Sequence, residues 1–226
     1  MTSIFQRAMG AEFGRLHPRI QERLSISVAS GTACMATGVM ARIWHGSALT
    51  VPFLYLGASR NILFPEQAAN VPFTIENWPY LDRAGRETVS FTRTFELPHR
   101  RRRFDASMVF DPASARLVDY LGTHQHLAAE LRLRAAADGA LLIRTAAQRF
   151  RVRRLDVPVP WVITGQAQVH EWYDTGAGAF QIDVRVQNRR FGPLFGYQGT
   201  FIARYLNIKD MPVPASVKPA REETRI

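Results

Sequence analysis

From residue 24 onward the apolar residues recur at every second position, in segment after segment divided by turn-forming residues. Period two is the spacing of one face of a β-strand, and a chain that repeats it this often has few folds open to it. "ACMATGVMARIWHG" reads as a first long strand. "NVPFTIENWPYLD" and "RETVSFTRTFELP" flank "RAG", whose Gly85 suits a turn, and so form a hairpin. "RRFDASMVFD" and "RLVDYLGTHQHL" join across "PASA", and "LAAELRLRAAA" and "ALLIRTAAQRFRVR" across "DG". After a proline-rich break, "DVPVPWVITG", the segments "QAQVHEWYD" and "AFQIDVRVQN" pair across "TGAG". The glycine-punctuated "RRFGPLFGYQG" reads as a link, and in a functional reading as a portal or lid, leading into a last strand, "GTFIARYL".

Two helices frame the first strand. "SIFQRAMGAEFGRL" (3–16) has Ser3 as N-cap with Gln6 three residues on, although Gly10 and Gly14 weaken it. "TVPFLYLGASRNILFP", with Pro52 near its start, reads as a short helix or lid. The expectation is a mainly β fold: a large curved or closed antiparallel β-barrel of about nine or ten strands, calycin- or lipocalin-like in architecture. Residues 1–209 form one β-rich domain, and 210–226, proline-spaced and charged, form an arm or a disordered tail.

These segments also carry a family resemblance. The order "TVPFLYLGASRNILFP", "VPFTIENWPYLDRAGRETVSFTRTF", "VDYLGTH", "VHEWYD" and "FQIDVRVQNRRFGPLFGYQGTF" resembles an uncharacterised bacterial family, domain of unknown function 4166. The resemblance implies a single domain over nearly the whole chain except the tail, and carries no reaction with it.

Hydrophobic residues make up 46% of the 226, which fits a folded globule, and no apolar run approaches the ~18 residues of a spanning helix. The N-terminus lacks the pattern of a signal peptide, and the single Cys34 agrees with a reducing compartment, so a cytoplasmic location is expected. The formal net charge is +10, and arginine supplies nearly all the positive charge, since the only lysines are Lys209 and Lys218. Arg100–Arg103 and Arg149–Arg154 form clusters, and in a strand Arg149, Arg151 and Arg153 would share one face. Such patches suit an anionic partner.

Strand parity gives a guess at the interior. Val89, Phe91, Arg93, Phe95 and Leu97 share a face, which puts an arginine among apolar residues. Val169, Glu171 and Tyr173 do the same for a carboxylate. Buried charges need partners, so each is expected to meet one inside, each other being one option. Arg93 would anchor the acidic head of a small apolar or amphipathic ligand, with Phe73, Phe91, Phe95, Tyr120 and Tyr173 around it. The alternative is an enzyme that needs no cofactor (an isomerase, cyclase or lyase) in which Glu171, or His170, transfers a proton. No nucleophile elbow, P-loop, dinucleotide fingerprint or CxxC supports another class, and the balance falls on the side of a binding module.

"DYLGTHQHLAAE" offers one further constellation. On a strand His124 and His126 would point to one face, with Glu130 sharing their parity if the strand runs unbroken, and Asp105 or His170 as other third ligands. The pair resembles the first half of a cupin motif without its second half, so no metal is expected.

Overall fold

The computed structural model describes residues 2–209 and 211–226. Eleven strands form one sheet: β1 (Thr32–His45), β2 (Ala68–Leu81), β3 (Glu87–Leu97), β4 (Arg100–Asp111), β5 (Arg116–Leu121), β6 (Leu127–Ala135), β7 (Leu141–Val152), β8 (Leu155–Pro158), β9 (Gln166–Asp174), β10 (Ala179–Asn188) and β11 (Gly192–Asn207). The order is β6-β5-β4-β3-β2-β1-β11-β10-β9-β7-β8, and a further β6–β7 pairing closes it. All pairings are antiparallel, and β8 pairs only with β7, so the result is a closed ten-stranded barrel with one extra strand. Closure removes the open edges that a sheet of this length would otherwise expose.

In such an up-and-down order alternate connections fall at the same end. Residues 46–67, 98–99, 122–126, 153–165 and 189–191 therefore gather at one end, here called the mouth. The N-terminal helices close the other end, the floor, where Phe5 meets Phe91 edge-on at 6.1 Å and the His17 amide donates to the Gly139 carbonyl.

The expected N-terminal helix is broken in two. The Ser3–Gln6 capping box forms and starts α1 (Ile4–Met9), but Gly10 at φ 54° ends it. A 3₁₀ turn over Gly10–Arg15 follows, and then α2 (Pro18–Leu24), whose Pro18 lies in the first turn and whose N-cap His17 accepts from the Arg19 amide. The first strand accordingly begins at Thr32, later than the onset of the period-two pattern. The short helix after β1 is present as α3 (Val51–Ala58), preceded by a 3₁₀ turn over Ala48–Thr50.

Two other expectations are corrected. The segment 116–127 is not one strand: β5 stops at Leu121, and 122–126 turn with Gly122 at φ 74° and Gln125 at φ 52°. A side chain at Gly122 would run into the Arg60 carbonyl, so the chain bends where only glycine fits. The link containing Gly192, Gly196 and Gly199 is part of β11, paired with β1 and β10. Gly196 lies under the Trp44 ring and Gly199 against β1 backbone, so these glycines allow close approach within the sheet. The tail from Met211 onward packs on the outer wall: Val217 and Glu223 are buried, the latter accepting from Arg221 and Arg225 at 2.7 Å.

That cover explains why both faces of β3 are buried around Thr88–Thr92. Inside, Phe64, Phe73, Phe95, Phe195, Tyr197 and Phe201 fill the β1, β2, β3 and β11 side with tilted and edge-on rings. Phe64 reaches in from the connection after α3 and is fully buried between Phe95 and Phe195.

Candidate functional site

The aromatic stack fills one side of the barrel and leaves a cavity of about 280 Å³ on the other. Its wall is chiefly aliphatic: Leu121, Leu131, Ile143, Val169, Ile182 and Val184 are representative, with Phe5 and Leu24 as floor. Leu49, Phe53, Ile163 and Phe191 line its outer part and stand in the mouth. Four charged side chains reach this apolar space: Arg23, Arg93, Asp119 and Glu171.

Two of them are paired. Arg23 Nη1, from α2, donates to Glu171 Oε1 of β9 at 3.0 Å, with both side chains no more than 4% exposed. Burial pushes the Glu171 carboxyl up, and Arg23 first and then Arg93 pull it down. The Arg23 guanidinium also stands 5.3 Å from the Phe201 ring centre. Arg23 thus ties the floor helix to the wall.

The other two lack such contacts. Arg93 lies over the rings of Phe104, at 4.5 Å, and Phe91, at 5.4 Å. Its Nη1 is buried without a hydrogen-bond partner among the described residues, and the same holds for Asp119 Oδ1. Asp119 is 7% exposed, and desolvation pushes its carboxyl up to about 7, with Arg93 opposing the shift. A buried polar atom without a partner costs about 1–3 kcal/mol, more if charged. Arg93 and Asp119, which have no ion-pair partner among the described residues, are therefore the groups with most capacity to bind something else, while Arg23, although paired with Glu171, also keeps a buried Nε without a hydrogen bond.

Of the residues singled out from the sequence, Phe91, Arg93 and Glu171 lie on the cavity wall. Phe73 and Phe95 belong to the packed aromatic stack beside it. Tyr173 lies near the floor, stacked on His17 with centres 5.0 Å apart and edge-on to Phe180. His170 stacks on Trp172 at 4.6 Å, on the face of β9 opposite to that of Glu171, away from the cavity. Tyr120 also faces outward, where its hydroxyl donates to the Arg225 carbonyl beneath the tail.

His124 and His126 sit in the 122–126 turn with ring centres 5.7 Å apart. Glu130 is held by Arg116 at 2.6 Å, and Asp105 by Arg103 at 3.0 Å and by Asn61 at 3.2 Å. Among the described residues no group of three His, Cys, Asp or Glu side chains gathers as metal ligands would.

The arginine clusters are largely spoken for. Arg100 and Arg102 meet Glu66, Arg101 meets Glu96, and Arg149 and Arg151 share Asp156. Arg151 is buried under the tail, and its Nη1 donates to the Arg225 carbonyl at 2.9 Å. Arg153 is in the turn after β7, at φ 52°, so it does not continue the face of Arg149 and Arg151.

Sequence reasoning missed Arg23 and Asp119. Asp119 was open to the parity argument, since Leu117, Asp119 and Leu121 alternate in "RLVDYL" and place a carboxylate on an apolar face. Arg23 offered no comparable signal, because only the fold brings α2 under β9.

The family model for Domain of unknown function (DUF4166) matches residues 16–201. The chain is also 33% identical over 201 residues to the uncharacterized protein YndH of Bacillus subtilis (strain 168), covering 89% of this chain and 97% of that protein. The match spans the barrel from the second N-terminal helix to the middle of the last strand, so this chain belongs to the DUF4166 family.

Proposed function

We propose that the barrel is a binding module for a small amphipathic molecule, with its apolar body against the aliphatic wall and an acidic head on Arg93. The observation that carries this reading is Arg93, half-buried at a largely apolar cavity, with its Nη1 atom buried and unpartnered among the described residues. Pockets for small ligands have this composition, apolar walls with a few placed polar groups. Asp119, protonated below about pH 7, adds a donor to the same head. A lipocalin-like carrier working in the cytoplasm is the form this role takes in the proposal.

The test is displacement of a fluorescent polyene fatty acid, compared with the matching fatty alcohol. A hydrogen bond to a charged group contributes about 1.5–3 kcal/mol. Arg93→Met is therefore expected to weaken the acid about 10- to 100-fold and leave the alcohol nearly unchanged. Equal affinity of wild type for acid and alcohol would refute the assignment of Arg93.

A second reading has one observation in its favour. A carboxyl at about 7, with Oδ1 buried and unpartnered among the described residues at an apolar cavity, is poised for proton transfer, and that group is Asp119, Glu171 being committed to Arg23. In that case Asp119→Asn abolishes turnover of a bound substrate while leaving its binding in place.

A further inference from the structure

The mouth has an unusual surface. Helix α3 and the 3₁₀ turn before it, residues 48–58, carry no charged side chain, yet only Thr50 and Leu54 among them are buried. A helix that is apolar all round normally lies inside a protein or a membrane. Here Leu49, Phe53 and Leu56 of this segment, with Trp161, Ile163 and Phe191 of neighbouring connections, are 40–74% exposed. Surface apolar patches of this kind mark contact sites.

Among the described residues the exposed charge around the patch that lacks an ion-pair partner is positive. Arg60 follows α3, Arg153 and Arg154 precede β8, and Arg189 and Arg190 adjoin Phe191; all five are exposed. None forms an ion pair among the described residues, whereas Glu66, Glu96 and Asp156 at this end are each held by arginine. Arg190 leans over the Phe191 ring at 5.8 Å. An apolar, aromatic-tipped segment at the same end as guanidinium groups that have no ion pair among the described residues complements a surface with anionic headgroups above acyl chains. An acidic protein or a nucleic acid would satisfy the arginines and leave α3 unexplained.

We infer that the mouth docks on an anionic lipid bilayer, with α3, Trp161 and Phe191 entering the interfacial layer and Arg60, Arg153, Arg154, Arg189 and Arg190 meeting phosphate groups. Because Leu49, Phe53, Ile163 and Phe191 also line the cavity, docking sets the cavity opening against the source of an amphipathic ligand. That last consequence rests on the carrier reading; the docking itself does not.

The experiment is co-sedimentation of the full chain with vesicles of phosphatidylcholine alone and of equal parts phosphatidylcholine and phosphatidylglycerol. Intrinsic tryptophan emission is read with and without brominated acyl chains. The expected result is partition onto the anionic vesicles, weakened by salt, with quenching that is lost in Trp161→Phe. Phe53→Ser with Leu56→Ser abolishes partition, and each of Arg189→Glu and Arg190→Glu weakens it at least about fivefold. These side chains are exposed, so an unchanged circular dichroism spectrum is expected to accompany each loss. Arg93→Met leaves partition unchanged, which separates failure of docking from failure of the ligand assignment. No partition by the folded wild type overturns the inference. So does partition that survives Phe53→Ser with Leu56→Ser, or binding of a polyanion such as heparin without binding of vesicles.

Discussion

Replacing Asp119 by asparagine isolates the cost of holding a carboxyl in the barrel. An aspartate ordinarily titrates near 3.8, and burial moves Asp119 to about 7. Below about pH 4 the group is protonated in folded and unfolded chains alike and contributes no pH-dependent difference. Between about 4 and 7 the folded chain keeps its proton while the unfolded chain releases it, so stability falls as pH rises, by about 1.4 kcal/mol per unit. Above about 7 both states are ionised, and the full penalty of about 4 kcal/mol is present. The asparagine of the variant lacks this titration and adds a constant offset from its own amide. Guanidinium unfolding of wild type and Asp119→Asn at intervals between pH 4 and 8 is therefore read as a difference in stability against pH. That difference should swing toward the variant by about 4 kcal/mol and level off above pH 7. A flat difference would mean that Asp119 is solvated or paired in the folded chain, and the argument from its burial would fail.

Other outcomes follow from the same accounting of buried charge. Arg23→Met strands Glu171 in the barrel and should cost about 3–5 kcal/mol at neutral pH, measured by denaturant unfolding, whereas the double variant Arg23→Met with Glu171→Leu should recover most of the loss. Truncation after Ala220 removes the carbonyl of Arg225 that Tyr120 and Arg151 use, and the buried Glu223. The shortened chain should melt several degrees lower and show faster amide exchange in β5 and at the end of β7, an outcome checked by calorimetry and hydrogen exchange.

The amino-acid sequence by itself determined the class of fold. Alternation and turn residues are local properties, and they marked most of the strands, the capping box at Ser3 and α3 with little help from distant contacts. They also marked Arg93 and Glu171 as charges on apolar faces, because period two assigns each side chain to one side of a strand. What only the tertiary structure decided is which groups meet. Arg23 lies 148 positions before Glu171, and no periodicity links α2 to β9, so the partner of Glu171 was open until the floor helices were placed. Parity likewise could not tell that the outward Tyr120 and the Thr88–Thr92 face would be covered by the tail, since burial there comes from a segment more than a hundred residues away. In the turn at 122–126 Gly122 packs against the Arg60 carbonyl, which accepts from the Thr123 amide, and His124 and His126 lie on no strand face. Faces are fixed by neighbours along the chain; partners are fixed by closure of the barrel, which brings distant segments into contact.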